Sequence, residues 1–182
     1  MILIIDMCYE KDSLSKEEFV RPIIDIVKES HGYEVIHFTE HTEEHLEKAT
    51  HIIMSGSALM DHTTLSHIEM FGWLKTINKP TLAICAGIQT LTKFFGGDTF
   101  PQLNLGMAHV MVKKTDPLFG DEKEFDAFEL HTIGITCPSD FDVLAKADDR
   151  IQVIKHKDRP LYGFLFHPEA RNPDILKRFL EL

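Results

Sequence analysis

The stretch Pro80-Thr81-Leu82-Ala83-Ile84-Cys85-Ala86-Gly87-Ile88-Gln89 constrains this chain more than any other. Leu82, Ala83 and Ile84 form an apolar run suited to a buried strand. Thr90, Leu91, Phe94 and Phe95 then continue at helical spacing until Gly96-Gly97 stops the pattern. A strand that passes directly into a helix must turn sharply at Cys85, and the small residues Ala83, Ala86 and Gly87 leave room for that turn. A thiol placed there sits beside the unpaired N–H groups and positive dipole end of a helix, which stabilise a thiolate nucleophile. Taken alone, an intracellular cysteine is more often a small apolar filler.

The rest of the first half alternates strand and helix. Ile2 to Ile5 is a continuous apolar run suited to a strand buried on both faces of a parallel sheet. Ser15 with Glu18 predicts a capping box for a first helix striped by Phe19, Ile23, Ile24 and Val27, in which Pro22 must fall in the first turn or kink the helix. Tyr33 to Phe38 reads as the second strand, Thr42 to Lys48 as a short helix and Thr50 to Met54 as the third strand. Leu65, Ile68, Phe71, Trp73 and Leu74 mark another helix before the cysteine strand. This alternation predicts an α/β fold, a doubly wound parallel sheet flanked by helices, with ligands at the carboxyl ends of the strands.

The second half differs. Gly106 to Val112, Phe125 to His131, Gly134 to Thr136, Asp142 to Ala145 and Ile151 to His156 are short strand candidates between Pro, Gly and Asp turns, which predicts a partly antiparallel meander. Leu161 to Phe166 is a further apolar strand, and Pro173 to Leu182 a closing helix. The Leu161 strand runs into His167-Pro168-Glu169, which puts a base and a carboxylate at one strand end. One imidazole nitrogen can then face Cys85 while Glu169 holds the other and stabilises the imidazolium. That pairing favours a nucleophilic Cys85 over a packing one.

These residues resemble the class I, or triad-type, glutamine amidotransferases over nearly the whole chain. The family's G-x-C-x-G-x-Q stretch reads Ala83-Ile84-Cys85-Ala86-Gly87-Ile88-Gln89. Its F-H-P-E signature stands as Phe166-His167-Pro168-Glu169, and its S-G-G-P-like turn as Ser55-Gly56-Ser57-Ala58 after the third strand. The resemblance implies a flavodoxin-like core and a single domain over residues 1–182. It implies a catalytic triad of Cys85, His167 and Glu169, and an oxyanion hole from the backbone N–H groups of Ser57 and Ala86. Gly56, Gln89 and His131 then become substrate-binding residues. Three positions depart from the family pattern: Ala83 and Ser57 stand where glycines are usual, and Leu165 where glutamine is common. None removes a triad atom.

The resemblance further implies a glutaminase that releases ammonia from L-glutamine through a cysteine thioester and passes it to a separate ATP-dependent synthetase. In size and layout it is nearest to the free-standing glutaminase of two-subunit GMP synthases. A stand-alone γ-glutamyl hydrolase or peptidase would use the same triad, and a catalytically silent binding module would lack part of it. The formal charge of −10 over 182 residues offers no basic stripe for nucleic acid or anionic membrane. Neither a signal segment nor a membrane span is expected, and three unpaired, widely spaced cysteines fit a reducing cytoplasm. No cofactor is expected. Nor is a metal: His41-Thr42-Glu43-Glu44-His45 lacks the glutamate directly after the first histidine that a zinc helix needs, and His37 ends a strand. Cys8 and Cys137 have no base motif nearby and read as structural.

Overall fold

Ile2, Leu3, Ile4 and Ile5 are all fully buried because β1 (Ile2–Asp6) has a layer of packing on each side. The structure, a computed structural model, describes residues 1–182. Side chains alternate across a strand. Accordingly Ile2 and Ile4 join one core with Leu82, Ile84 and Phe164, while Leu3 and Ile5 join a second with Met54, Ala83 and Ile88. The sheet has nine strands in the order β2-β1-β3-β4-β9-β8-β7-β5-β6. Strands β2 (Tyr33–His37), β1, β3 (His51–Met54), β4 (Thr81–Ile84) and β9 (Leu161–Phe164) are parallel neighbours. Strands β8 (Arg150–His156), β7 (Phe141–Ala147), β5 (Thr99–Val112) and β6 (Glu124–Ile135) extend it antiparallel. The doubly wound parallel half and the antiparallel second half therefore both stand as the sequence predicts.

Register decides what meets at the carboxyl ends. Met54 pairs with Ala83, and Ile84 with Phe164. The segments that follow these strands, Ser55–Ser57, Cys85 and Leu165–His167, therefore emerge side by side, where open α/β sheets bind ligands.

Several local expectations change. Pro22 lacks the N–H that would bond to the Glu18 carbonyl, so the first helix is divided at Val20 into α1 (Ser15–Phe19) and α2 (Arg21–Val27). The Ser15–Glu18 capping box does not form; Ser13 Oγ accepts the Ser15 N–H instead, at 3.2 Å. In α3 (Glu43–Lys48) the cap is Thr42, whose partner in the capping box is His45. The helix expected around residues 65–74 is a pair of 3₁₀ segments, Thr63–Ser66 and Ile68–Lys75. Leu65, Ile68, Phe71 and Leu74 recur every third residue, which is the 3₁₀ period. Strand β6 runs unbroken through Gly134, where a Cβ would crowd the Phe100 ring and the end of the Gln102 side chain. Strand β9 stops at Phe164, and His167 caps a short helix, α5 (Pro168–Arg171), before α6 (Pro173–Leu180).

Helix α4 (Ala86–Phe94) lies hard against the sheet. A Cβ on Gly163 of β9 would stand 2.5 Å from Ile88 Cγ1, and one on Gly87 would stand 3.0 Å from the Met54 carbonyl oxygen. Gly163→Ala should therefore overpack the helix–sheet contact and cost about 1–3 kcal/mol. Urea unfolding checks this, and an unchanged midpoint would show that the contact has slack.

Candidate active site

Cys85 occupies the turn between β4 and α4 with φ 47° and ψ −99°, a left-handed conformation that costs a non-glycine residue about 1–3 kcal/mol. The strand and helix hold it there. Its N–H donates to the Phe164 carbonyl at 2.8 Å, and the Gln89 N–H donates to the Cys85 carbonyl at 3.1 Å. The side chain is 4% exposed, and Sγ lies 3.5 Å from the Leu130 carbonyl oxygen. A strained turn of this kind presents a side chain at the top of a sheet.

His167 is brought to the same place by β9 and is fixed on three sides. Its N–H donates to the Phe128 carbonyl at 2.9 Å, and its Nδ1 lies 2.7 Å from Glu169 Oε1. The Phe19 ring packs on the imidazole with centroids 5.7 Å apart. On the remaining face stands Gly56, where a Cβ would come within 2.7 Å of His167 Cε1. Burial pushes the imidazole pKa down, but the Glu169 carboxylate and the adjacent Cys85 outweigh it and hold the pKa well above the ordinary 6.5. Nε2 is buried without a hydrogen-bond partner, leaving one ring nitrogen uncommitted beside the cysteine. Glu169 lies in the first turn of α5, whose dipole favours a carboxylate.

A narrow pocket of about 10 Å³, room for about one water molecule, opens over Cys85. Ser57, Ala86, Gln89 and His131, each singled out from the sequence, line it. Gly56 stands behind, against the imidazole, and is not on the pocket wall. Ser55 pins the turn that carries Ser57, accepting the Met7 N–H at 3.0 Å and donating to the Gly56 carbonyl at 2.8 Å. Ala86 opens α4, so its N–H has no acceptor within the helix. The Gln89 amide donates to the Ile133 carbonyl at 3.3 Å.

Other contributors were not foreseen. The free edge of β6 faces the site, and its carbonyls at Phe128, Leu130 and Ile133 receive the His167 N–H, the Cys85 thiol and the Gln89 amide. Behind the pocket, Glu129 is buried among Gln152 (2.6 Å), Arg150 (3.3 Å) and His131 (3.4 Å). Burial raises the Glu129 pKa, yet His131 and Arg150 bring it below the usual value. The signal was present in the alternation of β6, whose inward positions 125, 127, 129 and 131 include two polar residues.

The remaining candidates lie apart. Burial, with Asp6, pushes the Cys8 thiol up, and burial does the same at Cys137. His37 contacts the Cys8 carbonyl, His41 the Phe38 carbonyl and His45 the N-cap of α3. No group of three or more His, Cys, Asp or Glu residues is arranged to hold a metal ion. No helix is long and apolar enough to cross a membrane.

The sequence profile of the family described as glutamine amidotransferase class-I matches residues 17–181. One subunit of the glutamine-hydrolyzing GMP synthase of Methanothrix thermoacetophila is 32% identical over 140 residues, which is 72% of this chain and 75% of that protein. The corresponding subunit from Pyrococcus furiosus is 30% identical over 145 residues, 72% of this chain and 74% of that one. The crystal structure of a Thermoplasma acidophilum protein assigned as a GMP synthase subunit superposes with a TM-score of 0.84 at 24% identity, covering 100% of this chain and 93% of that one, a likeness of fold.

The Glu169 contact makes a pH prediction. A pKa raised above 6.5 contributes stability that is fully present below about pH 6.5 and is lost as pH rises through the folded value. Glu169→Gln should bring the His167 NMR titration down, and its loss of stability against the wild type should be larger near pH 6 than above the raised pKa. A histidine titration that stays in place in the variant would refute the assignment.

Proposed function

Because the chain belongs to the glutamine amidotransferase class-I family, we propose that the Cys85, His167 and Glu169 cluster is its catalytic triad and that L-glutamine is its substrate. The observation that carries this is the buried His167–Glu169 pair with Nε2 uncommitted beside Cys85 at the strained turn. On this reading the proton of the Cys85–His167 pair rests on Nε2, as the raised histidine pKa favours, and the Sγ thiolate attacks the side-chain amide carbon. A tetrahedral intermediate forms, its oxyanion held by the Ser57 and Ala86 N–H groups. His167 then gives the proton to the leaving nitrogen, the C–N bond breaks and ammonia departs. Water, deprotonated by His167, cleaves the γ-glutamyl thioester to glutamate and restores the thiol. Sγ starts on the Leu130 carbonyl and turns to Nε2 as substrate arrives, consistent with catalytic contacts that tighten only in the complex. Gln89 and His131 hold the substrate, and Gly56 keeps the space that the imidazole occupies.

Two similar proteins, at 32% and 30% identity, are named as subunits of GMP synthase. That supports a finer proposal: this chain is one domain, acts in the cytoplasm and passes ammonia to a separate synthetase subunit that makes GMP. With that synthetase, ATP and the nucleotide precursor, Cys85→Ser should lower glutamine-dependent GMP formation at least about a thousandfold while synthesis from free ammonium is unchanged. Hydrolysis of γ-glutamyl peptides by the chain alone, with glutamine a poor substrate, would overturn the synthetase reading in favour of a stand-alone hydrolase. Gly56→Ala should also lose most of the glutamine-dependent rate while far-ultraviolet circular dichroism is preserved, because its methyl group displaces the His167 ring.

A further inference from the structure

Leu105, Met107 and Met111 fall at alternate positions of β5, with His109 between the last two, and are 58%, 55% and 37% exposed. Alternation puts them on one face of the strand, in a row spanning about 20 Å. The antiparallel register sets Leu105 opposite Leu130 and Met107 opposite Phe128, so the two strands form one apolar block. A solvated sheet face ordinarily carries polar side chains at such positions. Beyond the block the face turns acidic, with His109 opposite Asp126 and Met111 opposite Glu124. Both carboxylates are exposed.

Position selects the occupant. Leu130 and Thr132 line the pocket over Cys85, and Thr132 and Ile133 share an adjoining groove with Phe100 and Met60. Ammonia leaves through the mouth of that pocket, so whatever receives it must cover this ground. A second copy is a poor fit, since two chains of formal charge −10 would meet with acidic rims and without an acceptor for ammonia. An anionic membrane is repelled by the same charge.

We propose that the outer face of β5 and β6, centred on Leu105, Met107, Phe128 and Leu130, docks the ATP-dependent synthetase subunit through an apolar patch bordered by lysine or arginine that meets Glu124 and Asp126. This rests on the synthetase reading above. Docking there presses on the strand whose other groups hold the site. The Leu130 carbonyl contacts the Cys85 thiol, and the Phe128 carbonyl accepts the His167 N–H. These two contacts put the docking face one strand from Cys85 and His167.

The test titrates the full chain with the purified synthetase subunit of the same organism by calorimetry. Leu105→Glu with Met107→Glu should weaken the complex at least about thirtyfold, as expected for loss of a buried anchor. Tyr33→Glu, on the opposite edge of the sheet, should bind like the wild type. The double variant should still be labelled at Cys85 by a chloroketone analogue of glutamine at the wild-type rate, which shows that the pocket is intact. If the glutamates disturb the strand, Leu105→Ser with Met107→Ser makes the same measurement. An unchanged affinity in the double variant overturns the docking face. So does a wild-type dimer, or binding to vesicles, that the double variant abolishes. A wild-type chain that binds no synthetase yet hydrolyses glutamine at full rate alone overturns the underlying reading, and the docking face falls with it.

Discussion

The structure depends on a strained turn being held at Cys85. A non-glycine residue at φ 47° costs free energy that must be offset by its surroundings, and here the offset comes from both sides. The parallel pairing of β4 with β9 supplies the Phe164 carbonyl to the Cys85 N–H, and α4 is clamped to the sheet where Gly163 and Gly87 let the backbones approach. Neither support is local to the cysteine. Both need the doubly wound core, whose two apolar layers require uninterrupted hydrophobic strands such as Ile2–Ile5.

The second half of the chain answers a problem that the turn creates. A cysteine, a histidine and a carboxylate buried together are costly unless their polar atoms are paired. The meander meets part of that cost by laying the free edge of β6 along the site, where its carbonyls accept the His167 N–H, the thiol and the Gln89 amide. Edge strands elsewhere must be protected from pairing with other chains. In this protein the edge is consumed by the cluster around Cys85 and His167, where His167 Nε2 and Glu169 Oε2 stay buried without hydrogen-bond partners.

What was legible in the sequence follows from how local each signal is. The strand-turn-helix at Cys85 and the His167-Pro168-Glu169 segment are written in contiguous residues, so the elements and the candidate site residues could be named in advance. The division at Val20 was half legible, because Pro22 announces a break without saying which side becomes helical. The 3₁₀ segments were legible in the spacing of Leu65, Ile68, Phe71 and Leu74, but Trp73 and Leu74 together resemble a helical stripe. Gly134 reads in sequence as the start of a separate short strand, but in space it continues β6, with Phe100 and Gln102 of β5 against it. The β6 carbonyls carry no side-chain signature at all, so no reading of residue types could place them beside Cys85.

The two faces of β6 explain why its outward residues are unlike those of a solvated strand. Its inward side chains at Glu129 and His131 form a buried polar layer with Gln152 and Arg150, a group that would be stable only with its charges paired, as they are. That layer packs the inward face of the strand. Phe128 and Leu130 occupy that outer face beside Leu105 and Met107 of β5, where polar residues would have kept both strands soluble at no cost to the core. Apolar residues there weaken solubility and contribute nothing to the interior of this chain. Such a choice is physically economical when another surface covers them.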